Sequence, residues 1–385
     1  MLPQRTETIC IGAGAAGLFL CALRPNILLL EKMPSPGRKI LVTGGGLCNL
    51  THDQDARQMA HCYNGKENFV SPALHNLPPE KIRSFFSSLD LDTVVRPDGK
   101  VFPARGDAHD VVAALMKCVR NLVVDCPVTS VLRRDDGFIL ETAKGTISCT
   151  RLVIAAGGLS YPGTGSTGDG LAFAHALGHS IVPPRPALCQ LVLDRPLGQC
   201  EGVDVKEARV RIGTHETMGP LVITARGVSG PAAMDISRHA DRTQSVEIAF
   251  AQLSDRDILG LDGAKKLAKA IAQRTGLASS LVTALLDDLA DRKVSTLTKE
   301  ERKAVVKAIT AYSSPCSTKG EMARATVTCG GVDTAEVDRK TMASRICPGL
   351  YIIGEALDVD GCCGGYNLSF AFASAALAAR SLSSS

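Results

Sequence analysis

Tryptophan is absent from this 385-residue chain and aromatic residues make up only 4% of it, so the stacking platforms that hold single-stranded nucleic acid are scarce. Lys and Arg (43) barely exceed Asp and Glu (39), for a formal net charge of +4 without a basic tail, and no nucleic acid is expected as a partner. No apolar run approaches the ~20 residues that a membrane span needs. The N-terminal residues show no basic stretch followed by an apolar one, and strand-like sequence is reached by Thr8. The 14 cysteines are scattered, with no C-x-x-C pair and no Cys/His spacing suited to zinc, so no metal site is expected. They read as small core residues in a reducing cytoplasm, which is the expected location. No G-x-S-x-G elbow is present and the 8 His are dispersed, which leaves no hydrolase-like triad.

What remains is an ordinary globular composition, 45% hydrophobic and 21% charged, at a length that implies two domains or one domain with a large insertion. Near the start, Thr8-Ile9-Cys10-Ile11 is a strand-like run followed by Gly12-Ala13-Gly14-Ala15-Ala16-Gly17 and an apolar helical segment over 15–24. A second apolar run over 26–30 ends on Glu31, with Lys32 next. Strand, glycine turn, helix, strand and acid together supply the context that a bare G-x-G-x-x-G lacks. Gly12 permits the tight turn, Gly14 admits a pyrophosphate to the backbone, and Gly17 lets helix and strand pack closely. The helix start presents unpaired N–H groups to the phosphates. Glu31 is placed to accept ribose hydroxyls and to repel a 2′-phosphate.

Three further glycine-rich stretches follow. Arg38 and Lys39, placed to neutralise a diphosphate, lead into Gly44-Gly45-Gly46, then Asn49 and Leu50. A buried-type strand over 151–156 ends at Ala156-Gly157-Gly158, before Tyr161 and more glycines up to Gly170. Near the end, a strand over 350–353 reaches Gly354-Glu355, then Cys362-Cys363-Gly364-Gly365-Tyr366-Asn367-Leu368 and an Ala-rich helical segment over 369–380. So many glycines imply close backbone approach to a planar cofactor. A helix aimed at a flavin would stabilise the negative charge of its reduced form. The reading is a bound FAD held by both ends of the chain.

In these blocks the sequence resembles the bacterial FAD-dependent oxidoreductases related to aminoacetone oxidase and the dehydro-bile-acid reductases. The matching strings are IGAGAAGL (11–18), GRKILVTGGGLCNLTH (37–52), DGKVFPARGDAHDVVAAL (98–115), AAGGLSYPGTGSTGDG (155–170), ARGVSGPA (225–232), TVTCGGV (326–332) and PGLYIIGEALDVDGCCGGYNLSFAFASAALA (348–378). The helix after Gly17 is shorter than is typical there, and His52 stands where Asn is common. The resemblance implies an α/β, Rossmann-like FAD/NAD(P)-binding fold over 1–187 and 324–385. It also implies an inserted domain over 188–323, an antiparallel, barrel-like β-rich part (188–252) followed by helices (253–312). Cofactor contacts are expected from Gly12 to Gly17, Glu31, Lys32, Arg38, Lys39, Gly44 to Gly46, Asn49, Leu50 and Val128. The remainder are expected from Ala156 to Gly158, Gly354, Glu355 and Gly365 to Leu368.

The middle of the chain agrees with that layout. Residues 190–193, 208–212 and 245–248 alternate as half-buried strands do. Residues 255–312 turn Ala-, Leu- and Lys-rich, and Thr298 with Glu301 fits a capping box. A flavin performs most of its own chemistry, so the residues offered for catalysis are pocket candidates only: Tyr161, Tyr366, Cys362 and Cys363. No second strand–GxGxxG–helix unit is present, so NADH or NADPH is expected as a transient donor. The expected activity passes hydride from NAD(P)H or a small organic donor, through flavin N5, to an acceptor such as a small molecule. The alternatives are a flavin-holding redox sensor and a flavin-dependent tRNA-modifying enzyme.

Overall fold

The computed structural model describes residues 2–240 and 244–383, and by contacts the chain divides into two compact units, Met1–Arg185 with Met322–Ser385, and Pro186–Glu321. In the first unit the run over 5–11 forms a strand whose last four residues are all buried, as befits a parallel sheet covered on both faces. It lies parallel to Leu28–Leu30 on one side and Gly145–Ile154 on the other, with Ile11 opposite both Leu30 and Ile154. Leu122–Val123 continues the sheet beyond Leu28–Leu30. Leu350–Ile352, contributed from the far end of the chain, pairs in parallel with Leu152–Ile154. An antiparallel ribbon, Val128–Arg134 with Gly137–Thr142, completes the seven-stranded sheet and leads into Gly145–Ile154.

The helix Ala15–Leu23 packs against the C-terminal helix Tyr366–Ser381. Both are apolar almost all round because both are buried. The Phe19 ring sits 4.9 Å from Phe372 and 4.6 Å from the half-buried Phe85, and each of the fully buried rings, Phe19 and Phe372, stabilises the fold by about 1.5–3 kcal/mol. Three boundaries differ from expectation. The first helix ends at Leu23 and the second strand begins only at Leu28, because Ile27 N–H turns back to the Arg24 carbonyl at 3.1 Å. The C-terminal helix begins at Tyr366, three residues before the expected Ser369, because Gly365 caps it with φ +94°.

The second unit contains a closed antiparallel barrel ordered Leu191–Leu193, Gly227–Ser229, His215–Thr224, Asp204–Ile212, Ser245–Ala249, Tyr312–Ser317, the last strand pairing back onto the first. Alternate residues such as Val210, Ile212, Leu221 and Ile248 fill its interior, as the two-residue strand period requires. Helices between Asp255 and Thr310 bury Ile258, Leu267, Ile271, Val305 and Ile309 in a separate core. The Thr298–Glu301 capping box is present, opening Lys299–Thr310. The architecture is a Rossmann-like α/β fold with an inserted antiparallel barrel that carries helices. Among the described residues, no helix is long and apolar enough to cross a membrane.

Candidate functional site

In open α/β sheets ligands bind beyond the carboxyl ends of the parallel strands. Here Gly12 N–H bonds the Leu30 carbonyl at 2.8 Å, Ala155 N–H the Ile11 carbonyl at 2.9 Å, and Ile353 N–H the Ile154 carbonyl at 3.0 Å. The strands therefore end in register, and a cavity opens at that edge, walled by residues from 11–43, 126–128, 155–173, 326–327 and 355–371.

The three motif glycines differ in what occupies the space beside them. A Cβ on Gly12 would meet the Ala155 carbonyl oxygen at 2.7 Å, and one on Gly17 would meet the Gly12 carbonyl oxygen at 1.9 Å. Beside Gly14 there is nothing within 4 Å. The protein itself needs Gly12 and Gly17, whereas the openness at Gly14, the residue capping the first helix, faces the cavity. Glu31 is fixed from two sides: its Oε2 accepts Ala13 N–H at 2.7 Å and its Oε1 accepts Met33 N–H at 2.8 Å.

The three cations of the wall are committed differently. Lys32 Nζ donates to Thr167 and pairs with Asp169 at 2.6 Å. Lys39, read from sequence as a diphosphate partner, instead pairs with Glu355 at 2.7 Å and donates to Ser160 Oγ at 2.7 Å. Arg38 makes no ion pair among the described residues; its Nε is buried without a hydrogen-bond partner, and only Ser35 Oγ approaches its guanidinium, at 3.5 Å. An orphaned buried donor is costly unless a ligand satisfies it.

Glu355 is the hub of a polar network that the sequence did not disclose. Its Oε1 accepts Thr328 N–H at 2.8 Å and Ser160 Oγ–H at 2.9 Å in addition to Lys39. Thr328 Oγ1 in turn accepts the N–H groups of Leu159 and Ser160 at 2.8 and 3.0 Å. Gly158 stands behind the wall because its missing Cβ makes room for Thr328, whose Oγ1 would lie 2.3 Å away. Thr326 and Val327 also face the cavity. The TVTCGGV string was the signal for them, though nothing in its spacing marks a polar role.

The wall thus includes Gly12 to Ala16, Glu31, Lys32, Arg38, Lys39, Val128, Ala156, Gly157, Glu355, Asn367 and Leu368 of the sequence candidates. Gly17, Gly44 to Gly46, Asn49, Leu50, Gly158, Gly354 and Gly365 lie outside it. Of these, Asn49 is buried with an unpartnered Oδ1, which would lie 2.9 Å from a Cβ on Gly365. None of the four pocket candidates reaches the wall. Tyr366 is buried, stacks on His52 at 5.1 Å and donates its hydroxyl to Gln54 Oε1 at 3.0 Å. His52 keeps a loop contact, its Nδ1 lying 3.2 Å from the Gly364 carbonyl. Tyr161 opens the short turn Pro162–Thr164 in a left-handed conformation, φ +53°. Cys362 bonds through its N–H to the Cys62 carbonyl at 2.9 Å. Burial pushes the Cys48 thiol up to about 12, against the opposing pull of Thr43, so that thiol is inert at neutral pH.

An open glycine capping a helix, an acid fixed at the second strand end and a half-buried guanidinium whose buried Nε has no partner line one cavity, a set suited to a dinucleotide's diphosphate and ribose. The chain matches the model of the HI0933-like protein Rossmann domain over residues 6–381. It is 31% identical to a ribosomal RNA dihydrouridine synthase of Haemophilus influenzae, covering 99% of this chain and 100% of that protein. It is 32% identical to a 3-dehydro-bile acid delta(4,6)-reductase of Clostridium scindens, over 96% of this chain and 97% of that one. Among solved structures, 3-ketosteroid delta1-dehydrogenase of Sterolibacterium denitrificans shares the fold, with a TM-score of 0.57 at 13% identity over 99% of this chain and 100% of that one. The chain belongs to the HI0933-like Rossmann-domain family of flavoprotein oxidoreductases.

Proposed function

We propose that this chain binds FAD in the strand-end cavity and reduces a carbon–carbon double bond conjugated to a carbonyl group. The observation that carries the cofactor is the convergence of Gly14, Glu31 and Arg38 on one cavity, with nothing of the protein occupying the space at Gly14 and nothing satisfying Arg38 Nε. Gly14 and the helix N-terminus would hold the diphosphate with Arg38, and Glu31 would accept the ribose hydroxyls. The Lys39–Glu355–Thr328 network would border the ribityl chain, and the first turn of the C-terminal helix would border the isoalloxazine. Bound there, FAD supplies a two-electron carrier whose N5 accepts and releases hydride.

The substrate class follows from what the two named relatives have in common. Forming dihydrouridine and reducing a 3-dehydro-Δ4,6 bile acid both saturate a double bond conjugated to a carbonyl. Hydride adds to the carbon remote from the carbonyl, and a proton adds to the carbon next to it. NADH or NADPH is the proposed donor, binding transiently in the open pocket. The expectation that no nucleic acid is a partner is not carried forward, because the Haemophilus relative is named for ribosomal RNA. The test is anaerobic. Purified protein should be yellow, should bleach on mixing with NADH or NADPH, and should recolour with either a conjugated ketosteroid or uridine-containing RNA. Failure to take up FAD would overturn the reading. Bleaching without recolouring by either acceptor would overturn the substrate class alone.

A further inference from the structure

The wall of the cavity borrows three residues, Val359, Asn367 and Leu368, from the two ends of one glycine-rich loop. Between them the backbone passes through Gly364 at φ +142° and Gly365 at φ +94°, and such a chain has little shape of its own. It is held from within by the Asn367 amide, which accepts Gly361 N–H at 2.8 Å and donates to the Gly361 carbonyl at 3.0 Å. It is held from outside by His52, whose Nδ1 lies 3.2 Å from the Gly364 carbonyl, and by one short segment, residues 62–66.

Four residues of that segment grip the loop. The Cys62 carbonyl accepts Cys362 N–H at 2.9 Å. Tyr63, wholly buried, donates its hydroxyl to the Tyr366 carbonyl at 2.7 Å. Asn64 donates through Nδ2 to the Asp360 carbonyl at 3.0 Å and to Asp360 Oδ2 at 3.1 Å. Lys66 Nζ pairs with Asp358 Oδ2 at 2.6 Å, where the carboxylate side chain is 12% exposed. Asn64 adopts a left-handed backbone, φ +48°, to do this, a conformation with an energetic cost that Asn tolerates better than most residues. Burial holds the Tyr63 phenol well above its ordinary range, with the Cys62 thiol, Tyr366 and the Cys362 thiol adding to the effect, so it remains a donor at any working pH.

So many buried polar groups, and a strained backbone, hold a loop whose cavity-facing product is one helix start. The N–H groups of the first turn of Tyr366–Ser381 have no partners within the helix and carry its positive end, whose field falls off within one turn. We propose that Tyr63, Asn64 and Lys66 are positioning residues that hold this first turn at a fixed distance from the isoalloxazine and thereby set the reduction potential of the flavin. The inference rests on the FAD reading above. Releasing a grip lets the turn recoil, and the anionic reduced ring loses stabilisation.

The test uses the full FAD-loaded chain and sulfite as probe. Sulfite's lone pair forms a sulfur–N5 bond with oxidised flavin, and the displaced electron pair leaves the ring anionic, as in the reduced form. Tyr63→Phe and Lys66→Met should retain flavin but bind sulfite about tenfold more weakly, a change of ~30 mV for a two-electron couple. Lys66→Arg should restore affinity to within about twofold. Asn64→Gly removes both amide bonds while allowing the same backbone, so it keeps the test open if the other variants fail to fold. It should show the same weakening. Sulfite affinity and potential unchanged in these variants, even with lowered melting temperatures, would make the segment merely structural and overturn the inference. A parent chain that takes up no FAD would overturn the cofactor reading and this inference with it.

Discussion

At the scale of the residue, two glycines of one motif should respond in opposite ways. Gly17→Ala forces a Cβ to 1.9 Å from a carbonyl oxygen, which no rotamer relieves. The variant should lose roughly 3 kcal/mol or more and show a lower melting temperature or no soluble yield. Gly14→Ala meets nothing within 4 Å. It should melt like the parent yet bind FAD at least about tenfold more weakly, as read by flavin fluorescence quenching. Equal FAD affinity in Gly14→Ala would remove the diphosphate from that turn. Sequence pattern showed which residues belong to the motif, but not which cation is already paired with a carboxylate. Arg38 and Lys39 are neighbours in sequence, and only the structure shows Lys39 turned to Glu355, 316 positions away. Nor does the sequence show that the Tyr366 ring stacks on His52 and that its hydroxyl donates to Gln54, a loop residue with no motif.

At the scale of the element, the start of Lys299–Thr310 was legible, because a capping box is a local device. Thr298 and Glu301 stand three apart, and each accepts the other's backbone N–H, at 3.2 and 2.8 Å. Thr298→Ala should therefore destabilise the second unit by about 1 kcal/mol, measured by thermal or urea melting. An unchanged midpoint would mean that helix is held by its core alone. Contacts between distant segments were not legible. His179, 1% exposed, lies 3.0 Å from Glu336 Oε2 and 2.9 Å from Ser344 Oγ. Burial lowers its pKa below the ordinary 6.5, although Glu336 pulls the other way. The folded chain keeps this ring neutral where the unfolded chain binds a proton. Its contribution is thus fully present above about pH 6.5 and is lost as pH falls through the lowered value. The melting temperature should fall more steeply from about pH 7.5 to about pH 5 in the parent than in His179→Gln. Parallel profiles would discount the effect.

At the scale of the whole molecule, the fold class could be read because strand, glycine-rich turn and apolar helix recur at both ends of the chain. The joining of those ends in one sheet could not, since register between Leu152 and Leu350 is written in no local pattern. All the residues walling the cavity belong to the first unit. Replacing 186–321 by a short Gly/Ser linker should therefore leave a core that still takes up FAD, within about tenfold of the parent affinity. A colourless core would show that the second unit is needed to form the site.

The late arrival of Leu350–Ile352 beside Gly145–Ile154 also has a consequence for biosynthesis. The ribosome makes the inner strand long before its neighbour, and at ~5–20 residues per second the wait is on the order of 10–40 s. Throughout that interval a nascent chain carries an open, apolar strand edge, the kind of template on which aggregation starts. Vectorial folding can complete the barrel, but the strand-end cavity must await synthesis of residues 355–371. Premature termination before residue 350 should therefore yield polypeptide that aggregates rather than a partly active enzyme.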